Sequence, residues 1–412
     1  TVAGGMAFVA SKDTHRLTAL DAVTGEVRWS FTAGGPIDTP PTIHAGRALF
    51  GCRNGWVYAL AASDGELIWR FRAAPTEDRI IAHGQLESPV PAFGSVIAEG
   101  QTVYCSAGRS SELDGGVHVY ALDAATGKQL WRNGTSGVWF NFLPHNSYGF
   151  SGVAPQGYLL ASEDVLLVPT GRSVPAGYDR KTGRLLFYEP GRSHHGGGTW
   201  STIEGKVYYS PGEFGREMKR YALATGKQVG YAAFKAERVL YGPAFFARTF
   251  RGKVHGRIGR SRREWSFPHE PTYEMAQAGQ VLLLGGDDAV TALNVADGKE
   301  LWKGRAPGQV RGIAVADGRL IVTTHTGEVH CLASASDAPQ PPRVVQAPLA
   351  PAAGSPQPRY FGEVLAAVKA SGASAGYALI VGEKDAALAE ALARRTGLHI
   401  LAAMTDQSAA DA

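Results

Sequence analysis

The stretch Tyr120–Trp131, YALDAATGKQLW, decides the fold, because imperfect copies of it recur along most of the chain. Aligned on the glycine, the copies are Thr24-Gly25 with Trp29, Asp64-Gly65 with Trp69, Thr126-Gly127 with Trp131 and Asp297-Gly298 with Trp302; each Trp follows its Gly by four residues. Two further copies keep the turn and alter the aromatic. Thr182-Gly183 has Phe187 at the Trp place, and Thr225-Gly226 has Gly230 there with Tyr231 beside it. One more ends at Trp265 with Ser261 at the glycine place.

The unit reads as a hairpin. Val57-Tyr58-Ala59-Leu60 and Val119-Tyr120-Ala121-Leu122 alternate large and small side chains, and the Thr-Gly or Asp-Gly pair supplies the positive φ of a tight turn. A second strand then ends in the aromatic. Two more apolar runs split by a glycine turn precede each copy, as in Thr42–Ala45 and Ala48–Gly51. Four strands per repeat is the content of one propeller blade. Blades in a ring bury both faces of every sheet, and an aromatic on the outer strand wedges between neighbours. On this reading Trp29, Trp69, Trp131, Trp265 and Trp302 are docking residues of the blade seams.

At these residues the chain resembles the β-propellers built of PQQ-type (pyrroloquinoline quinone) repeats with a tryptophan-docking motif, over roughly Gly4 to Leu332. The resemblance implies an all-β, eight-bladed, quinoprotein-like propeller in an extracytoplasmic, periplasmic setting. The family holds quinone-dependent dehydrogenases, non-catalytic scaffolds of outer-membrane protein assembly and proteins of unassigned role, and fold does not choose among them. Its dehydrogenases carry a disulfide between adjacent cysteines over the cofactor, a carboxylate and Asn on Ca2+, and an Asp base. Here Cys52, Cys105 and Cys331 lie in different repeats with no metal-ligand spacing. The resemblance therefore extends to the repeat and not to the PQQ active site, and the expected function is a non-catalytic binding or scaffolding module. An enzyme, PQQ-dependent or methyl-transferring, is the alternative.

With 52 glycines and 19% charged residues, the 412-residue chain fits an all-β ring better than a helical or disordered one. The net charge of +4 is local: Arg248, Arg251, Lys253, Arg257, Arg260, Arg262 and Arg263 fall in one stretch without an acid, and the remainder is slightly acidic. That stretch is a solvated face of a degraded blade or the contact for an anionic partner. No run is long enough for a transmembrane helix. The start, TVAGGMAFVA, has neither a basic head nor an initiating Met. The eighth unit, Arg311–Leu332, shows three strands, so its outer strand is expected upstream of Thr1.

Loops that lead into each inner strand rim a propeller's channel. By the repeat register they carry Asp38, Glu87, Ser147, Tyr148, His195, Trp200, Tyr241, Tyr273 and Arg311, with Trp139, Asn141, His145 and His194 nearby. The set grips a small polar ligand or protein partner, or forms a wet polar plug. His194-His195 before three glycines invites a metal reading, but adjacent strand residues face opposite ways, and no metal is expected. The expected domains are a propeller over 1–332, a proline-rich linker over 333–358 and a partial Rossmann-like α/β unit over 359–412. The last segment resembles the opening of a class I SAM (S-adenosylmethionine)-dependent methyltransferase. That implies cofactor contacts at Gly382, Asp385 and Asp406, although the later turn glycines are missing and Met404 stands at the expected acid.

Overall fold

The computed structural model describes residues 1–135, 138–142, 147–170, 173–189, 200–211, 218–231, 236–242, 245–259, 263–334, 360–374, 376–383 and 387–404. The chain forms two compact units, Thr1–Arg343 and Val344–Ala412.

In the first unit, consecutive antiparallel strands form six four-stranded sheets and one six-stranded sheet. The third blade is representative: Ile97–Glu99, Thr102–Ala107, His118–Asp123 and Gln129–Asn133 run from inner to outer strand. Its third and fourth strands are joined by the repeat turn. Asp123 Oδ1 accepts hydrogen bonds from the Thr126 hydroxyl and from the amides of Ala125 and Thr126, and Gly127 takes φ +70°. Asp21 and Asp179 hold the equivalent turns, and the donors keep all three carboxyls below the usual range.

The turn glycine and the aromatic explain each other across the seam. Trp29 stands on Gly65, Trp69 on Gly127, Trp131 on Gly183, Phe187 on Gly226 and Trp265 on Gly298. A Cβ at Gly127 would lie 2.6 Å from the Trp69 ring. The indole Nε1 of Trp29, Trp69, Trp131 and Trp265 donates to the carbonyls of Ala62, Ala124, Arg180 and Val295 in the following blade. On its own sheet each aromatic faces a small residue: Ala19, Ala59, Ala121, Gly177 or Gly256. Where Gly230 replaces it, the opposed residue is Arg220.

The expectation of eight blades is corrected to seven sheets. Between the seventh and eighth repeats the strand does not break; Glu300–Ala316 is one strand of 17 residues shared by both. The connection is hydrogen-bonded to the preceding blade: Gln309 pairs with Asp287, Gly308 N donates to Asp288 Oδ1 at 2.7 Å, and Val310 N donates to Gly286 O. Arg319–Thr324 and Val329–Leu332 extend the same sheet. At the closing seam the Cys331 thiol donates to Ala22 O at 3.4 Å, the carbonyl equivalent to those the indoles reach elsewhere. Trp302 departs from the docking role. It is 40% exposed and, among the described residues, meets no glycine of a following turn.

The second unit contains a helix, Phe361–Ala370, and two parallel strands, Gly376–Glu383 and Leu398–Met404, joined through the helix Ala387–Arg395. Phe361, Leu388 and Leu392 form its core. It amounts to one strand–helix–strand crossover; a Rossmann-like sheet is not formed among the described residues.

Candidate functional site

In every four-stranded meander, the connection to the next blade emerges at the same end as the loop between the second and third strands. This crossover face holds most of the residues singled out above. Two of the connections grow into hairpins of their own: Ile80–Ala82 with Gln85–Glu87 before the third blade, and Val138–Phe142 with Tyr148–Gly152 before the fourth.

The first hairpin is fixed by charge. Glu87 ends it with its side chain 1% exposed. Arg53 Nη1 donates to Glu87 Oε2 at 3.2 Å, Arg53 Nε donates to Asp38 Oδ2 at 2.6 Å, and Lys12 Nζ lies 3.5 Å from Asp38 Oδ1. Arg109 Nη2 lies 3.0 Å from Glu87 Oε1 and also donates to Ser88 O at 3.1 Å. Five alternating charges thus tie the crossover loops of the first three blades. Losing both Arg53 and Arg109 would strand the buried Glu87 carboxylate at a cost of about 3–5 kcal/mol. Both carboxylates already hold arginines, so the arrangement locks geometry more than it offers a base. Lys12, Arg53 and Arg109 were missed in the sequence, although all three occupy the same loop of the repeat, between the second and third strands.

The second hairpin is aromatic. Trp139 stacks on Tyr188 at 5.2 Å, and the Tyr188 hydroxyl donates to Gly152 O at 2.8 Å, which anchors the hairpin to the fourth blade. The register sets Phe140 opposite Phe150 and Phe142 opposite Tyr148, with Val138 opposite Gly152. These residues therefore share the other face. They are exposed: Val138 42%, Phe140 62%, Phe142 41%, Tyr148 69% and Phe150 60%. Their rings touch one another, Phe140 to Phe150 and Phe142 to Tyr148 both at 5.2 Å between centroids. Tyr148 therefore begins a strand of this hairpin and not the inner strand of the fourth blade, which is Leu160–Ala161. Asn141 lies on the hairpin backbone.

A third group lies where the last two repeats merge. The Tyr273 hydroxyl donates to Asp287 Oδ1 at 3.0 Å and accepts from Gln309 Nε2 at 2.9 Å, while the Arg311 guanidinium sits 4.3 Å over the Tyr273 ring. Tyr241 is the last residue of its inner strand, Arg238–Tyr241, and so stands at the opposite end from the crossover face; Arg238 begins that strand. Trp200 is half-buried just before the inner strand Thr202–Glu204. Ser147 precedes Tyr148 and is exposed. His145, His194, His195, Asp385 and Asp406 lie outside the described residues. In the basic stretch, Arg248 pairs with Glu264 at 2.9 Å, and Arg251 and Arg257 lie over the rings of Phe250 and Phe246. Arg260 and Arg262 are outside the described residues.

The described residues do not fit the PQQ set that the dehydrogenases use. Cys52 and Cys105 are buried in separate blades, burial pushing both thiols up to about 12, and Cys331 lies in the last strand. In the second unit Gly382 has φ +85° and a Cβ there would meet nothing within 4 Å, while residues 384–386 of its turn lie outside the described residues. Among the described residues, no group of three or more His, Cys, Asp and Glu could hold a metal ion. Among the described residues, no helix is long and apolar enough to cross a membrane.

Comparison with known proteins agrees with the architecture. A polyvinylalcohol dehydrogenase of Pseudomonas sp is 31% identical over 116 residues, 28% of this chain, but that match spans 16% of the dehydrogenase. Among solved structures, BamB from Moraxella catarrhalis superposes with a TM-score of 0.55 at 15% identity, covering 80% of this chain and 94% of BamB. The quinohemoprotein alcohol dehydrogenase from Comamonas testosteroni gives a TM-score of 0.53 at 14% identity, covering 79% of this chain and 69% of the enzyme. The family described as outer membrane protein assembly factor BamB, PQQ_2, matches residues 1–116 and 215–403, more than half of the chain, and the chain belongs to that family of PQQ-type β-propellers.

Proposed function

We propose that the propeller is a non-catalytic, extracytoplasmic binding or scaffolding module that receives a protein partner on its crossover face. The aromatic hairpin carries this reading. Five apolar side chains stand exposed on one face of a hairpin whose described strands contain no charged residue, and its other face is anchored by Trp139 on Tyr188. Exposed apolar surface of this kind marks an interaction site. The neighbouring ion-pair chain supports it by holding the crossover loops in place while using its carboxylates internally.

The periplasmic setting rests on the family. So does the second reading, an enzyme, which the dehydrogenase relatives favour; a methyl-transferring C-terminal unit is the less supported form of it. The deciding experiment is reconstitution of the full chain with PQQ and Ca2+, followed by dye-linked oxidation of primary alcohols and of polyvinyl alcohol. No turnover and no saturable PQQ binding are expected. Turnover that depends on PQQ would put the enzyme first.

A further inference from the structure

Resting on the binding-module reading, we propose that the aromatic hairpin captures an extended, uncharged polypeptide strand by adding it to an open edge. Among the described residues Val138–Phe142 and Tyr148–Gly152 form a two-stranded sheet, so each strand keeps one unpaired side. The outer strands of the six four-stranded blades are guarded. The outer strands of the first three blades carry Arg28, Arg70 with Arg72, and Arg132; those of the fourth and fifth have only three and four residues; that of the sixth ends in Pro268. Charge, shortness and proline are the usual means of keeping an edge from pairing. The sequences VWFNF and YGFSG have neither charge nor proline.

The chemistry of the occupant follows from the geometry. A strand added to an edge lies about 4.8 Å away, and its side chains alternate between the same two faces as those of the hairpin. On one face they would continue the row of Phe140, Phe142, Tyr148 and Phe150, so the occupant carries apolar residues at every second position and no charge among them. A lipid surface fits less well, because hydrocarbon cannot satisfy the edge amides and carbonyls. A second copy of the chain also fits less well: five side chains about half exposed offer on the order of 500 Å², short of the roughly 800 Å² per partner of a stable pair.

The test uses the full chain and a labelled decapeptide in which Val or Phe alternates with Thr. Saturable binding is expected, with amide exchange slowed in 138–142 or 148–152. Methylating alternate backbone nitrogens of the peptide should weaken binding at least about tenfold, as should Phe140→Ser combined with Phe150→Ser. The substituted side chains are exposed and leave the Trp139–Tyr188 anchor intact; should that variant misfold, the two peptides on the unaltered chain decide. Equal binding of the methylated peptide, no peptide binding, or binding unaffected by a folded variant overturns the proposal. So does retention on phosphatidylcholine vesicles, or dimerisation, in place of peptide binding. If the peptide fails and PQQ supports no turnover, strand capture falls and the binding-module reading stands; PQQ-dependent turnover removes that reading itself.

Discussion

Trp69 and Trp302 hold the same place in the repeat and have opposite fates. Trp69 is 7% exposed, lies against Gly127 of the next blade and donates its indole N–H to Ala124 O at 3.1 Å. Trp302 faces Ala292 on its own sheet as its counterparts face their small partners, yet is 40% exposed. The difference lies in the following repeat. After Leu332 the chain reads Ala333-Ser334 with no Thr-Gly pair, so no flat glycine turn is offered to the ring. Docking is thus a property of two consecutive repeats, and a tryptophan alone does not make a seam.

Breaking the docked seam should have the largest effect. Trp69→Ala removes a buried ring and its hydrogen bond, and should cost about 3–5 kcal/mol in a denaturant titration. Approaching the same seam from the other side, Gly127→Ala places a Cβ 2.6 Å from that ring at φ +70° and should cost about 1–3 kcal/mol. The same change at Gly4, where a Cβ meets nothing within 4 Å, leaves backbone strain alone and should cost less.

His118, buried at 3% exposure in the third blade, sharpens the comparison through pH. Burial, and then the Arg132 guanidinium, lower its pKa, and Arg132 Nη2 donates to its Nδ1 at 3.0 Å. The folded state therefore favours the neutral ring. Its contribution to stability is complete above the unfolded pKa of about 6.5 and is lost as pH falls through the lower folded value. Melting temperature should drop across that window, and His118→Gln should flatten the drop. Trp302→Ala should have the smallest effect, under about 1 kcal/mol; a loss comparable to that of Trp69→Ala would mean that the last seam is docked after all.

The repeat was legible because its signal is local: one glycine, one aromatic and a fixed spacing, each forced by sterics at the seam. The sheet count was not. Pro307-Gly308 signals a break, but the hydrogen bond from the Gly308 amide to Asp288 Oδ1 and the pairing of Gln309 with Asp287 carry the strand through. In the degenerate sixth blade no motif fixes the register, and Tyr241 was placed at the wrong end of its strand. Trp139 and Asn141 were legible only as neighbours of the expected channel rim, while the pairing of Val138–Phe142 with Tyr148–Gly152 places them on a separate hairpin. Arg53 and Arg109 were hidden because ion pairs between repeats leave no spacing rule, although the shared loop position could have been compared across repeats.

To receive a partner, that hairpin must be an available docking surface in the folded molecule. Nile red, a neutral dye that fluoresces on apolar surfaces, can be titrated onto the native chain at neutral pH. The expected result is saturable binding that weakens about tenfold or more, a loss of at least ~1.4 kcal/mol, when Phe140→Ser and Phe150→Ser are introduced without change in the melting curve. Absence of binding to the native chain, or equal binding by the folded variant, would contradict the assignment of the crossover face as the working surface.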